Sequence, residues 1–278
     1  MDTPPLKKSR PYWHVDAKWM TGILLLLLLN ITFFLFFLVQ VTSAQTGVTL
    51  LSTALASSFS ISSGGLDAGG DLAIMHQKIA ESPDGVWQPI PSFDIFIREA
   101  DISGMTPREA RLWFFGHMAE PLYNNGAQGL ADLSNDPETR DKILAGGVGP
   151  LAVVSAATNG KLKIALAVSG LVSLLFLGLL ILFSYRFGRL GSPGCAIFLA
   201  AIPGLILFGG LRGWLAGVAQ GSPALEQTSI TRYTQLAVDV LPEVVKSALQ
   251  TYLFLILIGF LFMLVALVGS LFFRGRKN

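Results

Sequence analysis

The sequence predicts an all-α integral membrane protein: four transmembrane helices in two outward hairpins, with a mainly helical extracytoplasmic domain that holds a short strand or hairpin. Three observations carry that prediction. Four apolar runs stand out, roughly Met20 to Val39, Ile164 to Tyr185, Ala196 to Leu211 with a softer extension to Val218, and Tyr252 to Phe273. Each is close to the roughly 20 residues a helix needs to cross a hydrocarbon core about 30 Å thick. Lysine and arginine crowd one side of these runs, and the long connections between them carry helix starts with their own capping chemistry. A mean hydropathy of +0.58 and a charged fraction of 14% exclude an ordinary soluble domain, in which about 25% of residues are charged.

Charge sets the orientation. The segment before the first run holds Lys7, Lys8, Arg10 and Lys18, the one between the second and third holds Arg186 and Arg189, and the tail holds Arg274, Arg276 and Lys277. Only Asp2 and Asp16 oppose them there, so 16 of the 18 acids lie in the other two connections. The positive-inside rule then makes both termini cytoplasmic. The expected order is a cytoplasmic tail 1–18, helix 19–41, extracytoplasmic domain 42–163, helix 164–185, cytoplasmic loop 186–194, helix 195–218, extracytoplasmic amphipathic helix 219–251, helix 252–273 and cytoplasmic tail 274–278. A lone cysteine, Cys195, leaves no intramolecular disulfide to hold the outer domain, which favours the inner or plasma membrane of a prokaryote. The first run also has a rival reading as a cleaved leader ending at Thr42-Ser43-Ala44, against which its length argues, since such apolar regions run to about 7 to 15 residues.

Within 42–163 the strongest helix start is Thr106-Pro107-Arg108-Glu109: a capping threonine, proline at the first helical position and glutamate three residues after the cap. Ala110, Trp113, Phe114, Met118 and Leu122 recur at helical spacing, and Asn124-Asn125-Gly126 supplies the stop. A second start lies at Asn135-Asp136-Pro137-Glu138, ending near Gly146-Gly147, and Asp71 to Ile79 reads as a short helix. Ser82-Pro83-Asp84-Gly85 reads as a turn. Phe93, Ile95 and Ile97 alternate with Asp94, Phe96 and Arg98 as in a strand, although Phe96 breaks the polar half of the pattern. Val48, Leu51, Leu55 and Phe59 continue the line of the first span outward. In the smaller connection, Ser222-Pro223 opens an amphipathic helix through Tyr233 that runs into the fourth span, with a kink or split expected at Pro242.

No span carries an ionisable residue in its middle, the usual pointer to an ion path. Asn30 is expected to bond across a helix interface. Pro203-Gly204, mid-span, reads either as a packed kink or as the broken helix of a transport site. Ala196, Ala200 and Gly204, Gly209, Gly213 and Gly217, and Ala165, Ser169 and Ser173 repeat every fourth residue, a spacing that lets helix backbones approach. His117 and Glu120 share a helix face and, with His76, define a candidate metal set, although no spacing matches a known ligand pattern. The main expectation is thus a non-enzymatic protein without cofactors whose outer domain binds a membrane or envelope protein, a peptide or lipid, with a second copy of the chain and membrane lipid as further partners. An acidic outer segment, 13 acids against eight bases from Gln40 to Lys163, argues against nucleic acid. Trp87, Phe96, Trp113 and Tyr233 are the candidate outer contacts. The alternatives are a small transporter or channel centred on Pro203-Gly204 and an outer-face metalloenzyme using His76, His117 and Glu120.

Overall fold

The computed structural model describes residues 13–58, 69–147, 149–184, 188–219 and 230–274 and is about 85% helical. In chain order the elements are α1 (Trp13–Val41), α2 (Ala44–Ser58), α3 (Gly69–Glu81), β1 (Val86–Trp87), β2 (Ile97–Arg98), α4 (Glu99–Ile102), α5 (Pro107–Asn125), α6 (Ala127–Ala131), α7 (Pro137–Lys142), α8 (Ala156–Phe183), α9 (Gly188–Ala219) and α10 (Ile230–Arg274). Among the described residues four helical stretches are long and apolar enough to cross a membrane: Val15–Val41, Ala156–Phe183, Gly188–Gly217 and Val240–Phe272. Large apolar side chains project from them into the surroundings, with Leu182 74% and Phe272 77% exposed. In water that surface would be costly; in hydrocarbon it is solvated.

Two helices are more continuous than the sequence suggests. The expected loop at 186–194 is mostly helix, because α9 starts at Gly188 and contains Pro193 as well as Pro203. Likewise α10 runs through Pro242 without being split. A proline removes one amide from a helix, and in a membrane-type helix the freed carbonyl is accommodated by local adjustment and neighbours. The helix start expected at Ser222-Pro223 lies outside the described residues.

The chain divides into two compact units, Met1–Phe37 with Ile164–Gly209 and Ser247–Asn278, and Leu38–Lys163 with Gly210–Lys246. In the first, Leu25 of α1, Leu180 of α8 and Ala196 of α9 form a small core with Leu29, Phe176 and Leu177 around it. Helices α9 and α10 meet backbone to backbone: a Cβ on Gly194 would lie 2.8 Å from Phe262 Cβ and 2.9 Å from the Gly259 carbonyl oxygen. Further along, Phe208 stacks on Tyr252 with ring centroids 5.7 Å apart and meets Phe37 at 4.7 Å.

The second unit has an ordinary hydrophobic core. Leu51 and Leu55 of α2, Ile79 of α3, Ile97, Ile102, and Phe114, Met118 and Leu122 of α5 are all buried in it. Its elements start and stop as the capping residues dictate. Thr106 Oγ1 accepts the Glu109 amide at 3.3 Å while the Glu109 carboxylate accepts the Thr106 amide at 2.8 Å, and Gly126 ends α5 at φ 64°. Asp136 caps α7 by accepting the Thr139 amide at 3.0 Å. A π-helical turn, Ile143–Gly147, then carries the chain to Gly146 at φ 110°.

The expected strand shortens to a two-residue antiparallel ladder in which Val86 faces Arg98 and Trp87 faces Ile97. Upstream, Phe93 bridges to Ser134 instead. Burial still alternates without a fault, with Phe93, Ile95 and Ile97 buried and Asp94, Phe96 and Arg98 exposed. Phe96 thus breaks the chemical pattern while obeying the geometric one.

The line from the first span through Val48 and Leu55 is not one helix. Helix α1 stops at Val41 and α2 starts at Ala44, and Phe59 lies outside the described residues. Ser43, placed immediately before α2, meets the Thr46 hydroxyl at 3.2 Å, in the position that short hydroxyl residues favour. Thr42 is buried at this elbow. Its carbonyl accepts the Tyr123 hydroxyl at 2.8 Å, and the Asn159 side-chain amide donates to Thr42 Oγ1 at 3.0 Å and to the Val39 carbonyl at 2.9 Å. Gly47, one turn into α2, lets the Tyr123 ring close over it: a Cβ there would lie 2.8 Å from the ring.

Candidate functional site

Three hydroxyls of the spanning helices meet at Thr32. Its Oγ1 lies 2.9 Å from Ser169 Oγ and 3.0 Å from Ser173 Oγ, joining α1 to α8 with a three-hydroxyl cluster in which Ser173 is buried. Asn30, by contrast, does not bond across an interface: its amide donates to the Leu26 carbonyl of its own helix at 2.9 Å. The side chain folds back because an amide one turn from a carbonyl finds a partner without waiting for a neighbour. The four-residue repeat of Ser169 and Ser173 held the signal for this interface, and a hydroxyl facing it on α1 completes the pair.

Pro203 and Gly204 do not break their helix. Pro203 is exposed, and Gly204 is buried beneath the Tyr252 ring, which occupies the space that a Cβ would need. Ala200, fully buried one turn earlier, lies on the same face. This stripe is therefore a packing seam. The stripe of Gly209, Gly213 and Gly217 has nothing within 4 Å of its would-be Cβ atoms among the described residues.

In the second unit the candidate outer contacts divide. Trp87 and Trp113 are partly buried and pack on the core, whereas Phe96 is 52% exposed. Phe96 immediately precedes the ladder, and the alternation of burial from Phe93 to Arg98 leaves it exposed where Ile97 is buried. Tyr233 lies in α10, and its side chain is outside the described set.

The two histidines of the candidate metal set go to separate partners. His76 Nδ1 lies 2.9 Å from Glu99 Oε1, and His117 Nδ1 donates to the Trp113 carbonyl at 2.9 Å with its ring 4.5 Å from the indole. Glu120 is exposed. No group of three His, Cys, Asp or Glu side chains converges among the described residues.

Three carboxylates of this unit are held below their ordinary range by hydrogen bonds. For Glu109 the donors are the amide and then the hydroxyl of Thr106; for Asp136 the hydroxyl and then the amide of Thr139; for Glu81 the side chains of Lys78 and Gln77. Burial pushes the Tyr123 phenol up, keeping it a donor to Thr42 at any ordinary pH. These groups serve structure: caps, a surface pair and the elbow.

The chain matches no family model, no curated protein and no solved structure. Its own architecture defines a class, a multi-pass membrane protein with four candidate spanning helices and a second, separately cored helical unit.

Proposed function

We propose that this is a non-enzymatic cell-membrane protein whose second unit lies outside the cytoplasm and binds a partner protein of the membrane or envelope. The chain would cross the bilayer as two outward hairpins with both termini cytoplasmic, the orientation that the sorted lysines and arginines favour. Lipid and peptide are the other ligand classes such a surface suits.

The observation that carries the reading is Phe96. Among the described residues the unit buries Phe93, Phe114 and Phe115 in its core, yet leaves Phe96, immediately before the short ladder, 52% exposed. Aromatic side chains are well suited to contact surfaces, because their burial on binding contributes more than that of most side chains.

The test places a photo-crosslinking amino acid at position 96, and at exposed Asp84 as a control, in the full-length protein in its native membrane. A discrete adduct from position 96 that is absent from position 84, together with loss of the same complex in Phe96→Asp, is the expected result. Equal adducts from both positions, or none from 96, would sink the assignment of this face. An adduct whose partner is the same polypeptide would reassign the face to self-association.

A further inference from the structure

We propose that a cleft formed by α1, the last turns of α8 and the first turns of α9 seats an anionic phospholipid of the adjacent leaflet. It rests on these helices crossing a bilayer and not on partner binding at Phe96. The cleft has a volume of about 340 Å³, at the lower end of the roughly 300–1,000 Å³ of small-ligand clefts. Its walls are Gly22, Leu26, Leu180 and Leu199, with Cys195 beside them and Lys18 and Trp19 at one end.

The arrangement along α1 matches the anatomy of a lipid. Lys18, Gly22 and Leu26 recur every fourth residue, so a charge, a gap and an apolar wall line one face of the helix. The distance from Lys18 to Leu26 is about 12 Å of helix rise, which separates a headgroup at Lys18 from the acyl chain below it. Trp19, 68% exposed, supplies the amphipathic ring that settles at headgroup level. Gly22 creates the gap: a Cβ there would meet only Leu180, at 3.9 Å, so helix packing does not demand glycine at this position.

Charge selects the occupant. Lys18 makes no hydrogen bond or ion pair among the described residues, and Arg189 lies one turn before Ser192, another residue of the cleft. Asp16, two residues before Lys18, projects from a different side of the helix. A zwitterionic headgroup would bring a cation that has no carboxylate to meet among the described residues lining the cleft. A phosphate diester with a neutral or anionic headgroup leaves the lysine satisfied and adds no such repulsion.

The experiment uses the full-length protein in phosphatidylcholine vesicles containing a trace of phosphatidylglycerol with a photoactivatable acyl chain, and maps adducts by peptide mass spectrometry. Adducts are expected on the peptides that carry Gly22–Leu26 and Cys195–Leu199, competed by unlabelled phosphatidylglycerol and not by added phosphatidylcholine. Lys18→Gln should lower the phosphatidylglycerol preference about fivefold, since a basic residue near an anionic surface contributes about 1 kcal/mol. Gly22→Phe fills the cleft and should remove the adducts while leaving the helical circular dichroism and thermal transition in place. Equal competition by phosphatidylcholine, a preference that survives Lys18→Gln, or adducts spread evenly over the exposed face of α10 would each overturn the proposal. So would a Cys195–Cys195 disulfide between copies without lipid adducts, which would give the cleft to a second copy of the chain.

Discussion

Glu109 makes its cap with the residue that starts its own helix, and this ties stability to pH. Its carboxyl is held below the ordinary range by Thr106, so the folded state binds its proton less readily than the unfolded chain does. That contribution is complete above the unfolded carboxyl value, near pH 4.3, and is lost as pH falls through the lower, folded value. Glu109→Gln should therefore lower the thermal midpoint at neutral pH and shrink the drop seen on acidification from neutral pH to about pH 2, well below the unfolded carboxyl value. Identical acid drops in the two proteins would remove Glu109 from the account. The cap was legible as a four-residue word because all its partners are local. Thr32 was not, because its partners lie 137 and 141 residues away. Thr32→Val should cost about 0.6 kcal/mol and at most roughly 1.7, the range for hydrogen bonds between membrane helices. Asn30→Leu should cost less, since it releases only a bond within one helix. Unfolding both variants in bicelles checks the order.

Among the helices, glycines of the same composition class do different work. Gly259 sits against the backbone of α9, where an added Cβ would come within 2.7 Å of the Phe198 amide nitrogen, so no rotamer change can make room. Gly259→Leu should then destabilise the helix pair by about 1–3 kcal/mol or more, the usual cost of overpacking, whereas Gly209→Leu, which faces open space, should not. Comparable losses in both would mean that glycine matters there for flexibility and not for approach. Four-residue repeats single out Ala200 and Gly204, yet give no sign of which helix lies against them. They missed Gly191 and Gly194, spaced by three, which face Ala266 and Phe262. Periodicity describes one helix at a time; a crossing belongs to two. The same reason explains Pro203 and Pro242, whose effect on a helix depends on what surrounds it.

For the molecule as a whole, the four apolar helices were readable because length and composition alone identify them, and charge sorting supplies an orientation that labelling can check. In a Cys195→Ala background, Asp84→Cys should react with a membrane-impermeant maleimide applied to intact cells, and Lys277→Cys only after permeabilisation. The reverse pattern would invert the topology and move Phe96 away from the outer face. What composition could not foretell is the elbow at Thr42, where the Tyr123 hydroxyl and the Asn159 amide converge from α5 and α8. If each bond stood alone, Tyr123→Phe should cost about 0.5–1.5 kcal/mol and Asn159→Ala, which loses two bonds, about 1–3 kcal/mol. They do not stand alone, since both hold one residue in one orientation. A joint closed by two latches gives way at the first, and the second then has little left to hold. The double variant should accordingly lose less than the two single variants added together, so that one threonine sets a shared fate for three helices that the chain makes at very different times.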